Sequence, residues 1–317
     1  MNMPAPRRPV VILCGPTASG KTALAIRLAK AMGGTLINAD SMQVYNSIPI
    51  LAASPTAEEM AEAPHRLFGY LDPANPGSLG NWLEAVRIAI YETWQEGRMP
   101  IVVGGTGMYI KGLLEGVSPI PDVPECIRQP LRQRLDDEGI ILLYAELQAK
   151  DPAMAETLEP GDSQRILRAL EVLEATGKSL LYWQSQTPEP PIPDADFHVY
   201  ALTLPRDLLY DRCNARLEQM IEQGALDELQ ALLVRGLSSE LPAMRAVGVP
   251  ELTRYLQGKW TREEALTKAQ QATRNYAKRQ LTWLRNQLPH ATPIAFPYDK
   301  WPESLEQLIA KNPPKHG

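Results

Sequence analysis

The sequence predicts an α/β fold: a three-layer core around a parallel sheet, with an all-α subdomain inserted into it. Three observations predict this. A glycine-rich phosphate loop joins a short apolar run to a helical one near the start of the chain. Further short apolar, β-branched runs recur between helical patterns, as βαβ units require. Between residues 116 and 197 the strand signals stop, and proline-flanked helical periodicity replaces them.

The loop is Gly15-Pro16-Thr17-Ala18-Ser19-Gly20-Lys21-Thr22, which satisfies glycine, four residues, then Gly-Lys-Thr. Val10 to Cys14 before it reads as a buried strand, and Ala23 to Lys30 after it as a helix stopped by Gly33-Gly34. This context makes the core P-loop NTPase-like. Glycines let the backbone turn its N–H groups inward, and the helix start adds its positive end. Lys21 supplies a mobile cation and the Thr22 hydroxyl a ligand for Mg2+. A multiply charged phosphate ester is the ligand such a nest favours.

Thr35 to Ala39 reads as the second strand, and Asp40-Ser41-Met42-Gln43 follows its carboxyl end. In an open parallel sheet that end faces the ligand crevice, so Asp40 is expected beside the phosphate loop. Taken alone it reads rather as a helix N-cap or turn residue. Residues 47–80, with several prolines and glycines, read as a loop region on the substrate side. A helix follows from about Leu79 to Glu96, then a third strand at Ile101 to Val103 ending in Gly104-Gly105-Thr106-Gly107. That strand end carries no Asp of the kind that holds Mg2+ in switch and motor ATPases.

The domains are expected at 1–115 (core), 116–197 (helical insertion) and 198–317 (core again). Within the insertion, Asp162 is the expected N-cap and Gly177 the expected stop of one helix. Ile166, Leu170 and Leu173 form its apolar stripe, which leaves some of Gln164, Arg165 and Arg168 for solvent or a ligand. His198 to Leu204 reads as a fourth strand. The helix after it carries Arg212 and Arg216 one turn apart, a pair that is a solvated face unless an anion lies near. The last long helix opens with a capping box, Thr261-x-x-Glu264. From Ala265 to Tyr298 it and its tail hold no Asp or Glu, while Lys268, Arg274, Lys278, Arg279 and Arg285 are interleaved with Tyr276, Gln280 and Trp283. This suits an RNA backbone with stacking groups, or simply a solvated basic face.

Bulk properties exclude other classes. The 317 residues are 44% hydrophobic and 22% charged, with a formal charge of −5, which argues against nonspecific coating of nucleic acid. Three cysteines, far apart and without a Cys-x-x-Cys pair, suggest neither a disulfide framework nor a zinc module, and fit a reducing cytoplasm. The apolar run after Arg7-Arg8 is too short for a signal peptide, and no stretch is long enough to span a bilayer.

Five segments together resemble the tRNA dimethylallyltransferases (tRNA isopentenyltransferases). They are Gly-Pro-Thr-Ala-Ser-Gly-Lys-Thr at 15–22, Asp-Ser-Met-Gln-Val-Tyr at 40–45 and Gly-Gly-Thr-Gly-Met-Tyr at 104–109. Gln-Arg-Ile-x-Arg-Ala-Leu-Glu-Val at 164–172 and Tyr-Ala-Lys-Arg-Gln-Leu-Thr-Trp at 276–283 complete the series in the family's order. The resemblance implies transfer of a dimethylallyl group from dimethylallyl diphosphate to N6 of the adenine on the 3′ side of the tRNA anticodon. It implies that Gly15 to Thr22 and Arg216 hold the diphosphate, with Lys21 and a Mg2+ ion on Thr22 neutralising it. Asp40 would be the base and Thr106 would align the reacting centre. The implied tRNA contacts are Asp40, Ser41, Met42, Gln43, Thr106, Gln164, Arg165, Ile166, Leu167, Arg168 and Arg245, with Arg128, Lys278 and Arg279 as further candidates. The insertion would grip the anticodon arm of a cytoplasmic, monomeric enzyme. The chain departs from the family pattern at Ile50 to Pro55, where a lysine is lost, and at Val247 to Pro250. Two rival readings are a small-molecule kinase using ATP in the same loop and a non-catalytic RNA-binding nucleotide switch.

Overall fold

The structure, a computed structural model, describes residues 7–312. The first strand is β1 (Arg8–Cys14), and its residues from Val10 onward are fully buried. Their side chains alternate between two cores. Val10, Ile12 and Cys14 enter one, and Val11 and Leu13 the other. A strand apolar on both faces must be covered on both, which makes the architecture three-layered.

Chain order continues with α1 (Lys21–Met32), β2 (Gly34–Asn38), α2 (Ala57–Glu62), β3 (His65–Arg66), α3 (Leu79–Gln95), β4 (Met99–Gly104) and α4 (Gly107–Glu115). The stretch 47–80, expected to be loop throughout, thus contains a capped helix and a short edge strand. Two paired residues are too few to leave a periodic signal. After Pro190 come β5 (Ala195–Thr203), α10 (Arg206–Glu222), α11 (Ala225–Val234), a 3₁₀ turn Pro242–Arg245, α12 (Val249–Leu256), α13 (Arg262–Gln287), β6 (Thr292–Ala295) and α14 (Glu303–Lys311); α5–α9 lie in the intervening segment. All strand pairs are parallel, in the order β3-β2-β4-β1-β5-β6. Trp82, Val86 and Ile90 of α3 and Leu229 of α11 cover one face of the sheet. Leu24, Leu28, Leu305 and Leu308, from α1 and α14, cover the other. This is the P-loop NTPase-like core that the sequence predicts.

Two compact units result. One runs up to Leu114 and resumes at Pro191; the other is Glu115–Pro190. The second boundary therefore lies before the exit at 197 suggested by the proline run. Ile192 is buried in the sheet core, and β5 begins at Ala195, opposite Arg8. The second unit holds α5 (Glu125–Glu138), α6 (Ile140–Lys150), α7 (Pro152–Ala155), α8 (Ser163–Thr176) and α9 (Leu180–Gln184) around Leu131, Leu143, Leu147, Ile166 and Leu170. Asp162 caps α8 by accepting the Arg165 N–H at 3.2 Å, and Gly177 ends it in the left-handed region. The capping box at Thr261 and Glu264 is complete.

Candidate active site

The order β2-β4-β1 sets three carboxyl ends side by side, with Asn38 opposite Val103 and Cys14 opposite Gly104. Adjacent strands are about 5 Å apart. The loops leaving them, at Asp40, Thr106 and Gly15, must therefore converge.

In the phosphate loop, Ala18 and Gly20 take positive φ (60° and 91°), which curls the chain ahead of α1. Lys21 folds back, its Nζ donating to the Pro16 carbonyl at 2.7 Å. Burial pulls the Lys21 ammonium down from its ordinary value to about 8; Arg216 pushes the same way, and Asp40 resists. Burial likewise lowers the Arg216 guanidinium, again against Asp40. Two desolvated cations beside one another, with Asp40 the carboxylate acting on both, form a site prepared for a polyanion.

Asp40 is a turn residue as well as a site residue. Its N–H donates to Asn38 Oδ1 at 2.8 Å, and its Oδ1 accepts the Met42 N–H at 3.0 Å. Oδ2 has no hydrogen-bond partner among the described residues. The neighbouring Ser41 N–H donates to Thr106 Oγ1 at 2.9 Å, and the Thr106 hydroxyl donates to Ser41 Oγ at 3.2 Å. The Thr106 N–H donates to the Ala39 carbonyl at 3.2 Å. That contact explains Gly104: a Cβ there would lie 2.1 Å from the Ala39 oxygen. Tyr276, from α13, lies beside Thr106, and its phenol is pushed well above its ordinary value by burial and by the Asp40 charge.

Two cavities meet at this point. The larger, about 490 Å³, is lined by Thr17, Gly20, Lys21, Thr22, Asp40, Arg212 and Arg216 among others. The smaller, about 210 Å³, runs over Met42, Leu51, Leu217, Met220, Val247 and Tyr276. Thr17, Asp40, Ala52, Ala53 and Arg216 border both. The wall they share is braced by side-chain hydrogen bonds to its backbone. Glu228 accepts the Ile50 and Leu51 N–H groups at 2.9 and 2.8 Å. Gln43 donates to the Ala52 and Ala53 carbonyls at 3.2 and 2.8 Å. A cationic pocket thus opens into a more apolar one, with a carboxylate at the junction.

Comparison with known proteins agrees with this geometry. The IPP transferase family model matches residues 43–287, and a second, Isopentenyl transferase, matches 8–74. The chain belongs to the IPP transferase family. The tRNA dimethylallyltransferase of Rhodopseudomonas palustris is 50% identical over 284 residues, 89% of this chain and 88% of its own. That of Methylocella silvestris is 50% identical over 287 residues, 90% of this chain and 95% of its own. Among solved structures, a eukaryotic dimethylallyltransferase acting on tRNA superposes with a TM-score of 0.80 at 26% identity, covering 98% of this chain and 81% of its own. The tRNA isopentenylpyrophosphate transferase of Bacillus halodurans gives 0.67 at 34% identity, covering 95% and 94%. None of these lends support to the kinase reading.

Within this IPP transferase, the structure sorts the remaining candidates. Arg245 lines the smaller cavity and pairs with Glu240. Lys278 and Arg279 are exposed on α13, and with Trp283 and Asn275 they line an open groove. In the second unit, Gln164 and Arg165 are exposed, Arg168 is 3.6 Å from Glu171, and Arg128 is half-buried. Ile166 is corrected: it is fully buried and offers no side-chain surface to RNA, whereas Leu167 is partly buried against the same core. The segment match carried Ile166 along; the helical stripe already placed it inside. Gln280 is corrected too, since it is buried rather than part of the basic surface. Sequence reasoning missed Glu228, for which no local signal exists, because its partners are 177 and 178 residues away.

Proposed function

We propose that this chain transfers a dimethylallyl group from dimethylallyl diphosphate to the exocyclic N6 of an adenine in tRNA, on the 3′ side of the anticodon, releasing diphosphate. The observation that carries it is the carboxylate at the junction of a cationic cavity and an apolar one. The phosphate loop, Lys21 and Arg216 hold the diphosphate, and the allyl group and the adenine meet in the smaller cavity. The allylic C–O bond breaks as the N6–C bond forms. Negative charge grows on the leaving diphosphate, where fixed cations lower the barrier. Asp40 takes the N6 proton, which a weakly nucleophilic aromatic amine must lose. Thr106, tied to Ser41 and beside Tyr276, aligns the acceptor edge.

The donor set suits Mg2+. Among the described residues no cluster of three or more His, Cys, Asp or Glu exists to cage a metal. Mg2+ keeps its waters and binds through one protein oxygen and substrate phosphates. Thr22, on the cavity wall, would supply that oxygen. The ion would neutralise the diphosphate.

Reaching an adenine inside a folded anticodon arm requires turning it out of its stack. Lys278 and Arg279, and in the second unit Gln164, Arg165 and Arg168, are the groups we assign to the RNA backbone. No helix among the described residues is long and apolar enough to cross a membrane; we take the enzyme to act as a cytoplasmic monomer.

The test is incubation of the protein with unmodified tRNA, dimethylallyl diphosphate and Mg2+, followed by mass spectrometry of the nucleosides. Isopentenyladenosine is expected, with Asp40→Ala slowed about 10²–10⁴-fold as for loss of a general base. Full activity in that variant would remove Asp40 from the mechanism.

A further inference from the structure

The long helix α13 carries Tyr276, Gln280 and Trp283 at spacings of four and three, which puts all three on one face. Each meets a different part of the site. Tyr276 reaches the apolar cavity and Thr106. Trp283 packs under the start of α4, so closely that a Cβ on Gly107 would lie 2.4 Å from its ring. Gln280 sits between them with 6% of its surface exposed. Its Oε1 accepts the Thr17 N–H of the phosphate loop at 2.8 Å, and its Nε2 donates to the Gly105 carbonyl at 2.9 Å. The amide orientation is dictated by its partners, one of which can only donate and the other only accept.

The proposal rests on the prenyl-transfer reading above. We propose that Gln280 is a positioning residue that sets the register between the donor loop and the acceptor loop. The phosphate loop fixes the leaving diphosphate. The Gly-Gly-Thr-Gly loop carries Thr106, which holds Ser41 next to the base Asp40. These loops follow different strands, and β1 and β4 pair only as far as Cys14 and Gly104. Beyond that point the Gln280 amide bonds to both, one hydrogen bond to each. The face is so tight that a Cβ on Gly105 would lie 2.4 Å from Gln280 Nε2.

Only this side chain does both jobs. Glutamate keeps the acceptor for Thr17 and loses the donor for Gly105. Methionine keeps the length and loses both. Asparagine is one methylene too short to reach across. The consequence is kinetic: loops that drift apart by a fraction of an ångström leave each substrate bound and the reacting atoms misaligned. A 1 Å misplacement costs on the order of 10²-fold in rate.

The test compares native protein with Gln280→Met and Gln280→Glu in steady-state prenyl transfer to an anticodon stem-loop RNA, varying each substrate. Rates are normalised to functional sites counted by calorimetric titration with inorganic diphosphate, so that misfolded protein is not scored as slow enzyme. Expected is a fall in kcat per site of about 10- to 100-fold for the Met variant, with the KM for RNA within about twofold and that for the donor within about threefold. The Glu variant should also lose kcat, and its added charge should raise the donor KM. A kcat per site within twofold of native in the folded variants would overturn the proposal while leaving the transfer reaction standing. A merely structural role would reduce the number of sites and leave kcat per site and both KM values unchanged. If the Met variant does not fold, the Glu variant carries the same comparison. Absence of transfer by the native protein would instead overturn the underlying functional reading.

Discussion

Lys21 shows how a single group links burial, charge and pH. With its ammonium pulled down to about 8, it is charged below that pH and increasingly neutral above it. A bound diphosphate favours the charged form. Affinity for a diphosphate ester whose own ionisation is complete should therefore be highest below pH 8 and fall as pH rises through 8, approaching tenfold per unit well above it. Calorimetric titration from pH 7 to 9.5 checks this, and Lys21→Met should bind weakly with no such dependence. A flat profile in the native protein would mean that Lys21 stays charged throughout. At the same scale, Asp40 was legible from the sequence as a residue at a strand end, although its turn-forming bonds to Asn38 and Met42 show that the plainer reading was also true.

Among the elements, α13 is the one whose meaning changed most. Its sequence advertises cations and aromatics, and Lys278 and Arg279 are indeed on its outer face. Its inner face, though, serves packing and register: Gln280 and Trp283 are spent on the phosphate loop, Gly105 and Gly107. Helical spacing could have flagged this, because 276, 280 and 283 share a stripe with the buried Ala277 and Leu284. The closeness of that packing is measurable. Gly107→Ala places a methyl against a rigid indole and should cost about 1–3 kcal/mol, as overpacking does. Gly80→Ala, in α3 with nothing within 4 Å of the new Cβ, should be neutral or slightly stabilising. Denaturant melts of the pair decide it; equal stabilities would show that the indole yields.

At the scale of the whole molecule, the chain divides its apolar residues unequally. The sheet is covered on both faces by two large clusters, while Glu115–Pro190 depends on a smaller core of its own. Surface grows relative to buried volume as a unit shrinks, so the smaller one is the more easily opened. Hydrogen exchange at rising denaturant should show the amides of α5 and α8 exposed before those of β1 and β4. Simultaneous loss of protection would mean that the two units unfold as one.

The sequence by itself determined the strand-loop-helix at the phosphate site, the strands β1, β2, β4 and β5, the helix caps at Asp162 and Thr261, and the motif order that resembles the family. All of these are local: they depend on side-chain period, on φ > 0 at a few glycines, or on a cap within one turn of its partner. Tertiary structure decided the rest. The edge strands β3 and β6 are too short to carry a period and exist only because a neighbouring strand pairs with them. Glu228, Gln280 and the two cavities depend on contacts between residues more than 150 positions apart. Such contacts leave no pattern in any window of sequence, because their partners are chosen by the sheet order, which brings three distant loops to one edge.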